Sequence, residues 1–167
     1  SEVLQRARQL FDADAGWALP RERLDGLDPL LHAAAEAGHE LRCYDDVWQF
    51  VAQIRDGERR QAALAEAYPK GAKDKALAKL LKVKLYPYQA EGALFAVRAG
   101  RALIGDEMGL GKTIQAVAAA ELFARHFGMQ RVLVVCPTSL KHQWSGEFAR
   151  FSERQAQVIH GLRAQRQ

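Results

Sequence analysis

Cysteine is scarce in this 167-residue chain: Cys43 and Cys136 stand far apart and no Cys-x-x-Cys occurs. Neither a disulfide framework nor a cysteine zinc site can be built from them, which points to a reducing, intracellular setting, cytoplasmic or nucleoid-associated. Long apolar runs are also missing, since nothing approaches the roughly 20 residues that cross a bilayer, so no membrane partner is expected. The first residues, Ser1 to Arg8, scatter charge where a secretory signal has an apolar centre. The five histidines are dispersed without metal-ligand spacing, so each reads as structural or surface. A strong charge bias is lacking as well. A net charge of +4 and a pI near 9.2 suit a nucleic-acid partner without requiring one.

What is present is the composition of a globular protein, 49% hydrophobic and 26% charged. The length allows one ordinary domain, or one domain with an appendage. Residues 1–68 are rich in Ala, Leu, Arg and Glu and read as a mainly α-helical accessory region. Asp25-Gly26-Leu27-Asp28-Pro29 is a turn signal, after which Leu30, Leu31, Ala34 and Ala35 repeat at helical spacing up to Gly38. Glu40 to Tyr44 alternates polar and apolar residues as a short strand would. Val47, Phe50, Val51 and Ile54 then mark an amphipathic helix capped by Asp45-Asp46. Trp17 and Trp48 are expected in the core, as large aromatics usually are. This region carries no catalytic string, and its candidate partner is another protein.

Residues 69–84 form a basic linker or helix, with Lys70, Lys73, Lys75, Lys79, Lys82 and Lys84 against Asp74, and Leu77, Leu80 and Leu81 as an apolar stripe. A solvated helix face explains the lysines; so does a stripe that contacts phosphates. From residue 85 the pattern becomes alternating. Pro87 opens a helix with Ala90, Ala93, Leu94 and Val97 on its inner face and Gly100 as its stop. Arg101 to Ile104 reads as a strand, Lys112 to Phe127 as a helix ended by Gly128, Val132 to Cys136 as a buried strand, Ser139 to Phe151 as a helix and Ala156 to Ile159 as a further strand. On that helix Trp144 and Phe148, four apart, are expected in the core. The order β-α-β-α predicts an α/β fold with a parallel sheet.

Between the first strand and its helix lies Gly105-Asp106-Glu107-Met108-Gly109-Leu110-Gly111-Lys112-Thr113. Glycine-rich backbone at a helix start turns N–H groups and the positive dipole end toward one point, as a phosphate cradle requires. Asp106, Glu107, Met108, Gly109, Leu110 and Gly111 are the wrapping residues. Lys112 is the candidate for the β and γ phosphates of ATP, and the Thr113 hydroxyl for Mg²⁺. The strict Gly-x-x-x-x-Gly-Lys-Thr pattern is not met, because Asp106 stands at its first glycine. A turn without ligand is the bland alternative, but such turns seldom set Lys-Thr at the start of an apolar helix.

The loop resembles motif I of the SWI/SNF family of DNA-dependent ATPases, within the superfamily two helicases. Leu85-Tyr86-Pro87-Tyr88-Gln89-Ala90-Glu91-Gly92 resembles the family's Q-type motif, and Val132-Leu133-Val134-Val135-Cys136-Pro137-Thr138-Ser139-Leu140-Lys141-His142-Gln143-Trp144 its motif Ia. The resemblance covers about residues 82–162. It implies that Gln89 reads the adenine edge, that Pro137, Thr138, Ser139 and Lys141 touch nucleic-acid backbone, and that residues 85–167 are the first part of a RecA-like lobe. It further implies that the partners are duplex DNA and a second RecA-like lobe. Capping of the next helix by Thr138 or Ser139 is the bland reading of the motif Ia loop. No apolar run here ends in the Asp-Glu pair of motif II. The expectation is therefore a piece of an ATP-dependent DNA translocase that binds ATP and hydrolyses it poorly or not at all. A non-catalytic interaction module and another P-loop NTPase are the alternatives.

Overall fold

The computed structural model describes residues 2–159. Among them are six α-helices: α1 (Glu2–Leu10), α2 (Leu27–Glu36), α3 (Asp45–Ala67), α4 (Pro87–Ala99), α5 (Lys112–Phe127) and α6 (Lys141–Phe151). The chain divides into two compact units, residues 1–55 and 56–167.

The first unit buries Val3, Leu10, Leu24, Leu27, Leu30, Ala34 and Val51, with Phe11, Leu19 and Ile54 against them. The expected helix after the Asp25 turn is α2, with Leu30 and Ala34 inward as their spacing requires. Trp17 and Trp48 depart from expectation: both are exposed, as are Phe50 and Tyr44. A short apolar stripe decides which side of a helix is inward only where a second surface exists to receive it. Among the described residues, 40–44 pair with no strand.

The second unit is built on α4 against α5. Pro87 sits in the first turn of α4, where its missing N–H costs nothing. Gly100 ends α4 in the left-handed region at φ 71°. Ala90, Ala93, Leu94 and Val97 of α4 meet Ile114, Val117, Ala118 and Leu122 of α5, all buried. Small residues on both faces let the two helices approach closely. Phe148 and Phe151 of α6 join the same core, with Trp144 packed at its edge. The basic stretch folds into two short 3-10 turns, Gly71–Lys73 and Leu77–Lys79, and buries Leu77, Leu80 and Leu81. Its backbone is tied down by Arg125 Nη2, which donates to Leu80 O (2.9 Å), and by Lys82 N, which donates to Phe151 O (2.8 Å).

The parallel sheet of a RecA-like lobe does not occur among the described residues, and the α/β expectation is corrected to a helical one. Residues 101–104, 132–136 and 156–159 are without ladder pairing. The β-type pairing present is one isolated bridge, Asp12 with Ala18. Leu103 is 90% exposed and Val135 88% exposed, the opposite of a strand buried on both faces. An apolar run reports only that a segment is apolar and extended. A strand needs a second backbone to bond with, and local pattern does not contain that partner.

Two polar clusters brace the second unit. Glu121 accepts from Arg125 Nε (3.0 Å) and Arg154 Nε (2.7 Å). Burial alone pushes the Glu121 carboxyl up, but the hydrogen bonds from Arg154 and Arg125 outweigh it and hold the group below its ordinary range. Tyr68 and His126 share a hydrogen bond of 2.9 Å between the phenol oxygen and Nε2, with their rings edge to face. Burial, reinforced by the Arg125 charge, pushes the His126 pKa below its ordinary 6.5. The unfolded chain therefore binds the His126 proton more readily than the folded one. This contribution to stability is complete above about pH 6.5 and is lost as pH falls through the lowered folded value. Urea unfolding followed from pH 7.5 to 5 is expected to show this loss, and His126→Asn to remove that part of the pH dependence. An unaltered pH profile in His126→Asn would show that other groups carry it.

Candidate functional site

The loop at residues 105–111 joins an exposed extended segment to α5. Gly109 and Gly111 adopt left-handed backbone at φ 88° and 81°. Gly111 is needed for a second reason: a Cβ there would stand 2.6 Å from Gln89 Nε2. Gly111 is also the N-cap of α5 and supplies no side-chain cap. The first-turn N–H groups of a 16-residue helix thus lack a side-chain acceptor and form a natural anion site. Lys112 Nζ folds back into the loop, donating to the carbonyls of Asp106 (2.8 Å) and Glu107 (3.0 Å). Met108 is fully outward, and Thr113 is half-buried in the first turn of α5.

Gln89 grips the exit of the loop. Its Nε2 donates to Leu110 O (3.2 Å) and, at longer range, to the Tyr88 hydroxyl (3.4 Å), while its Oε1 accepts from Tyr86 N (3.0 Å). The amide is therefore engaged within the protein, and it is buried. Beside it, the exposed rings of Tyr86 and Tyr88 lie nearly parallel, with centroids 5.9 Å apart.

The entry of the loop has a grip that the motif comparison did not anticipate. Gln115, only 1% exposed, donates from Nε2 to Asp106 Oδ2 at 2.6 Å. Room for this amide comes from Gly92 of α4, where a Cβ would overlap Gln115 Oε1. A signal existed in the sequence: a polar residue on the inward face of an otherwise apolar helix. Its partner lies nine residues upstream, on a loop, where helical periodicity cannot point.

The structure thus brings together Gln89, Asp106, Glu107, Leu110, Gly111 and Lys112 by direct hydrogen bonds or close approach. Pro137, Thr138, Ser139 and Lys141 form a separate corner. Thr138–Leu140 is a 3-10 turn without a side-chain cap, so neither Thr138 nor Ser139 caps α6. Pro137, Thr138 and Ser139 are exposed, whereas Lys141 Nζ donates to Ile159 O (3.1 Å). Lys141 also lines a cavity of about 670 Å³ with Trp144, Phe148 and the 132–136 segment.

Residues 47–167 match the SNF2-related domain. The chain belongs to this family. Over 72 residues the chain is 43% identical to the DNA annealing helicase and endonuclease ZRANB3 of Mus musculus, covering 42% of this chain and 6% of that protein. Over 69 residues it is 44% identical to the Caenorhabditis elegans homolog of the SWI/SNF-related matrix-associated actin-dependent regulator of chromatin subfamily A-like protein 1, covering 41% of this chain and 10% of that one. Arabidopsis thaliana Switch 2 is 32% identical over 97 residues, 48% of this chain and 11% of its own. The SNF2-related chain thus spans only a small part of the length of these relatives. No solved structure matches it. Among the described residues no helix is long and apolar enough to cross a membrane.

The bare Gly92 of α4 leaves room for the Gln115 amide that bonds Asp106. Gly92→Ala is expected to displace the Gln115 amide and destabilise the second unit by about 1–3 kcal/mol, the usual cost of overpacking. Urea unfolding measures it; a variant as stable as the parent would mean that the helices part without cost.

Proposed function

We propose that this chain is the ATP-binding part of a SNF2-type, DNA-dependent ATPase that translocates on duplex DNA. The single observation that supports this most is the placement of Lys112: its ammonium lies inside a loop shaped by two left-handed glycines, at the uncapped N-terminus of α5. That donor set, a cation with unsatisfied backbone N–H groups, suits a polyphosphate. Bound Mg-ATP supplies a γ-phosphoryl group for transfer to water. Toward it Lys112 exchanges two carbonyl acceptors for phosphate oxygens, and the α5 N–H groups and the amides of Gly109 and Gly111 hold the remaining charge. Thr113 is the residue for Mg²⁺, and Asp106, Glu107, Met108 and Leu110 complete the wrap.

Gln89 links the adenine side to the phosphate side, because the amide assigned to adenine also carries the Leu110 carbonyl. Pro137, Thr138, Ser139 and Lys141 are assigned to the DNA backbone, contacts that position without reading sequence. Water attack needs a further acidic pair after an apolar run, and this sequence carries none. The chain is therefore expected to bind Mg-ATP and hydrolyse it poorly. That relatives are named for DNA annealing and chromatin regulation supports duplex DNA as the polymer.

Calorimetry with Mg-ATP tests the reading. Lys112→Ala is expected to weaken affinity by at least about tenfold, the worth of one charge-assisted hydrogen bond. The melting temperature should stay nearly unchanged, because the Lys112 ammonium bonds loop carbonyls. Equal affinity in a folded Lys112→Ala protein rejects the phosphate assignment. Gln89→Ala is expected to narrow the preference for ATP over GTP; a preference that survives intact rejects the adenine role alone.

A further inference from the structure

Asp106 stands where the strict phosphate-loop pattern has glycine, and the structure explains both why glycine is dispensable and what the side chain adds. Among the described residues the positive-φ residue that is not glycine is Trp17, so Asp106 does not occupy the left-handed backbone that would demand glycine. Its carboxylate instead accepts the 2.6 Å hydrogen bond from buried Gln115. Residue 106 is therefore held twice by the first turns of α5: its carbonyl by Lys112 and its carboxylate by Gln115.

These two bonds differ in what happens to them when phosphate arrives. The Lys112 bond uses the ammonium that the proposed function commits to phosphate, so it is given up on binding. The Gln115 bond uses no phosphate-binding group. From these facts we infer that Gln115 is a positioning residue: it keeps the entry of the loop in register with α5 after Lys112 turns away, so that the loop stays open to the phosphates. Gln89 does the same for the exit through Leu110 O. The loop is suspended between two glutamines, one on each of the paired helices, and Lys112 is free to move between them. Gly92 belongs to the same device, because only a residue without a side chain leaves space for the Gln115 amide. A charge-assisted bond this short is strong enough to matter for a loop that must not collapse.

The inference rests on the nucleotide reading, and the test separates the two. Asp106 is exposed, so Asp106→Ala removes the tether from the loop side and leaves the buried side chains of α4 and α5 in place. In unliganded protein, the Gln115 side-chain amide proton is expected downfield in heteronuclear NMR and to move upfield in Asp106→Ala; Gln115→Met identifies the resonance by its loss. Calorimetry should give Asp106→Ala about tenfold weaker Mg-ATP binding. Gln115→Glu sets two carboxylates against each other and should weaken binding at least as much. Adding Asp106→Asn to it restores a donor and an acceptor with reversed polarity, and affinity should return toward the parent's.

A merely structural Gln115 would not be rescued in this way. Parent-like affinity in Asp106→Ala, or a double variant no better than Gln115→Glu alone, overturns the positioning role while leaving ATP binding intact. An unaltered Gln115 resonance in Asp106→Ala overturns the tether itself. A parent chain that does not bind Mg-ATP removes the nucleotide reading, and with it the purpose assigned to the tether.

Discussion

The contact on which the second unit depends is the close packing of α4 on α5. Ala90, Ala93 and Gly92 present little bulk on one helix, and Ala118 does so on the other, so the larger Leu94, Val97, Val117 and Leu122 interdigitate around a short separation. Burial of each such aliphatic chain is worth about 1.5–3 kcal/mol. Helices this close bring two polar groups from the interface, the amides of Gln89 and Gln115, to opposite arms of one loop. The site is a product of the core. A wider separation would leave the Gln89 amide short of Leu110 O.

Charge in this unit is arranged the same way, at the edges of the apolar contact. Arg125 bonds both the Glu121 carboxylate and the Leu80 carbonyl, joining α5 to the basic stretch. Tyr68 reaches His126 from the end of α3. These partners are only partly buried, so their net worth is modest. What they supply is registration, fixing where residues 68–85 run across α5 and so where Tyr86 begins α4.

Helices were legible where a local rule decided them. Pro87 and Gly100 bracket α4, Lys112 and Gly128 bracket α5, and the inward residues follow the 3.6-residue period. The glycine-rich loop was legible because its glycines and Lys112 lie within a few residues of one another. Strands were not legible in the same sense. Val132 to Cys136 is as apolar as a buried strand, yet Val132, Leu133 and Val135 lie open, because a ladder is made by two segments and the run describes one. Trp17 and Trp48 failed for a related reason: hydrophobicity favours burial, but a facing surface must be available.

By itself, the amino-acid sequence determined the position of the helices, the loop with its glycines and lysine, and membership of the SNF2-related family, all of which are encoded in short-range spacing. Only the tertiary structure decided that Asp106 is tied to Gln115, that Gln89 is held by the loop as well as by its own helix, and that Gly92 is the space in which this happens. The physical reason is distance along the chain. Gly92 and Gln115 touch across a helix pair, and Gln89 meets Leu110 across an intervening helix, segment and loop. No periodicity relates such residues; the packed core does.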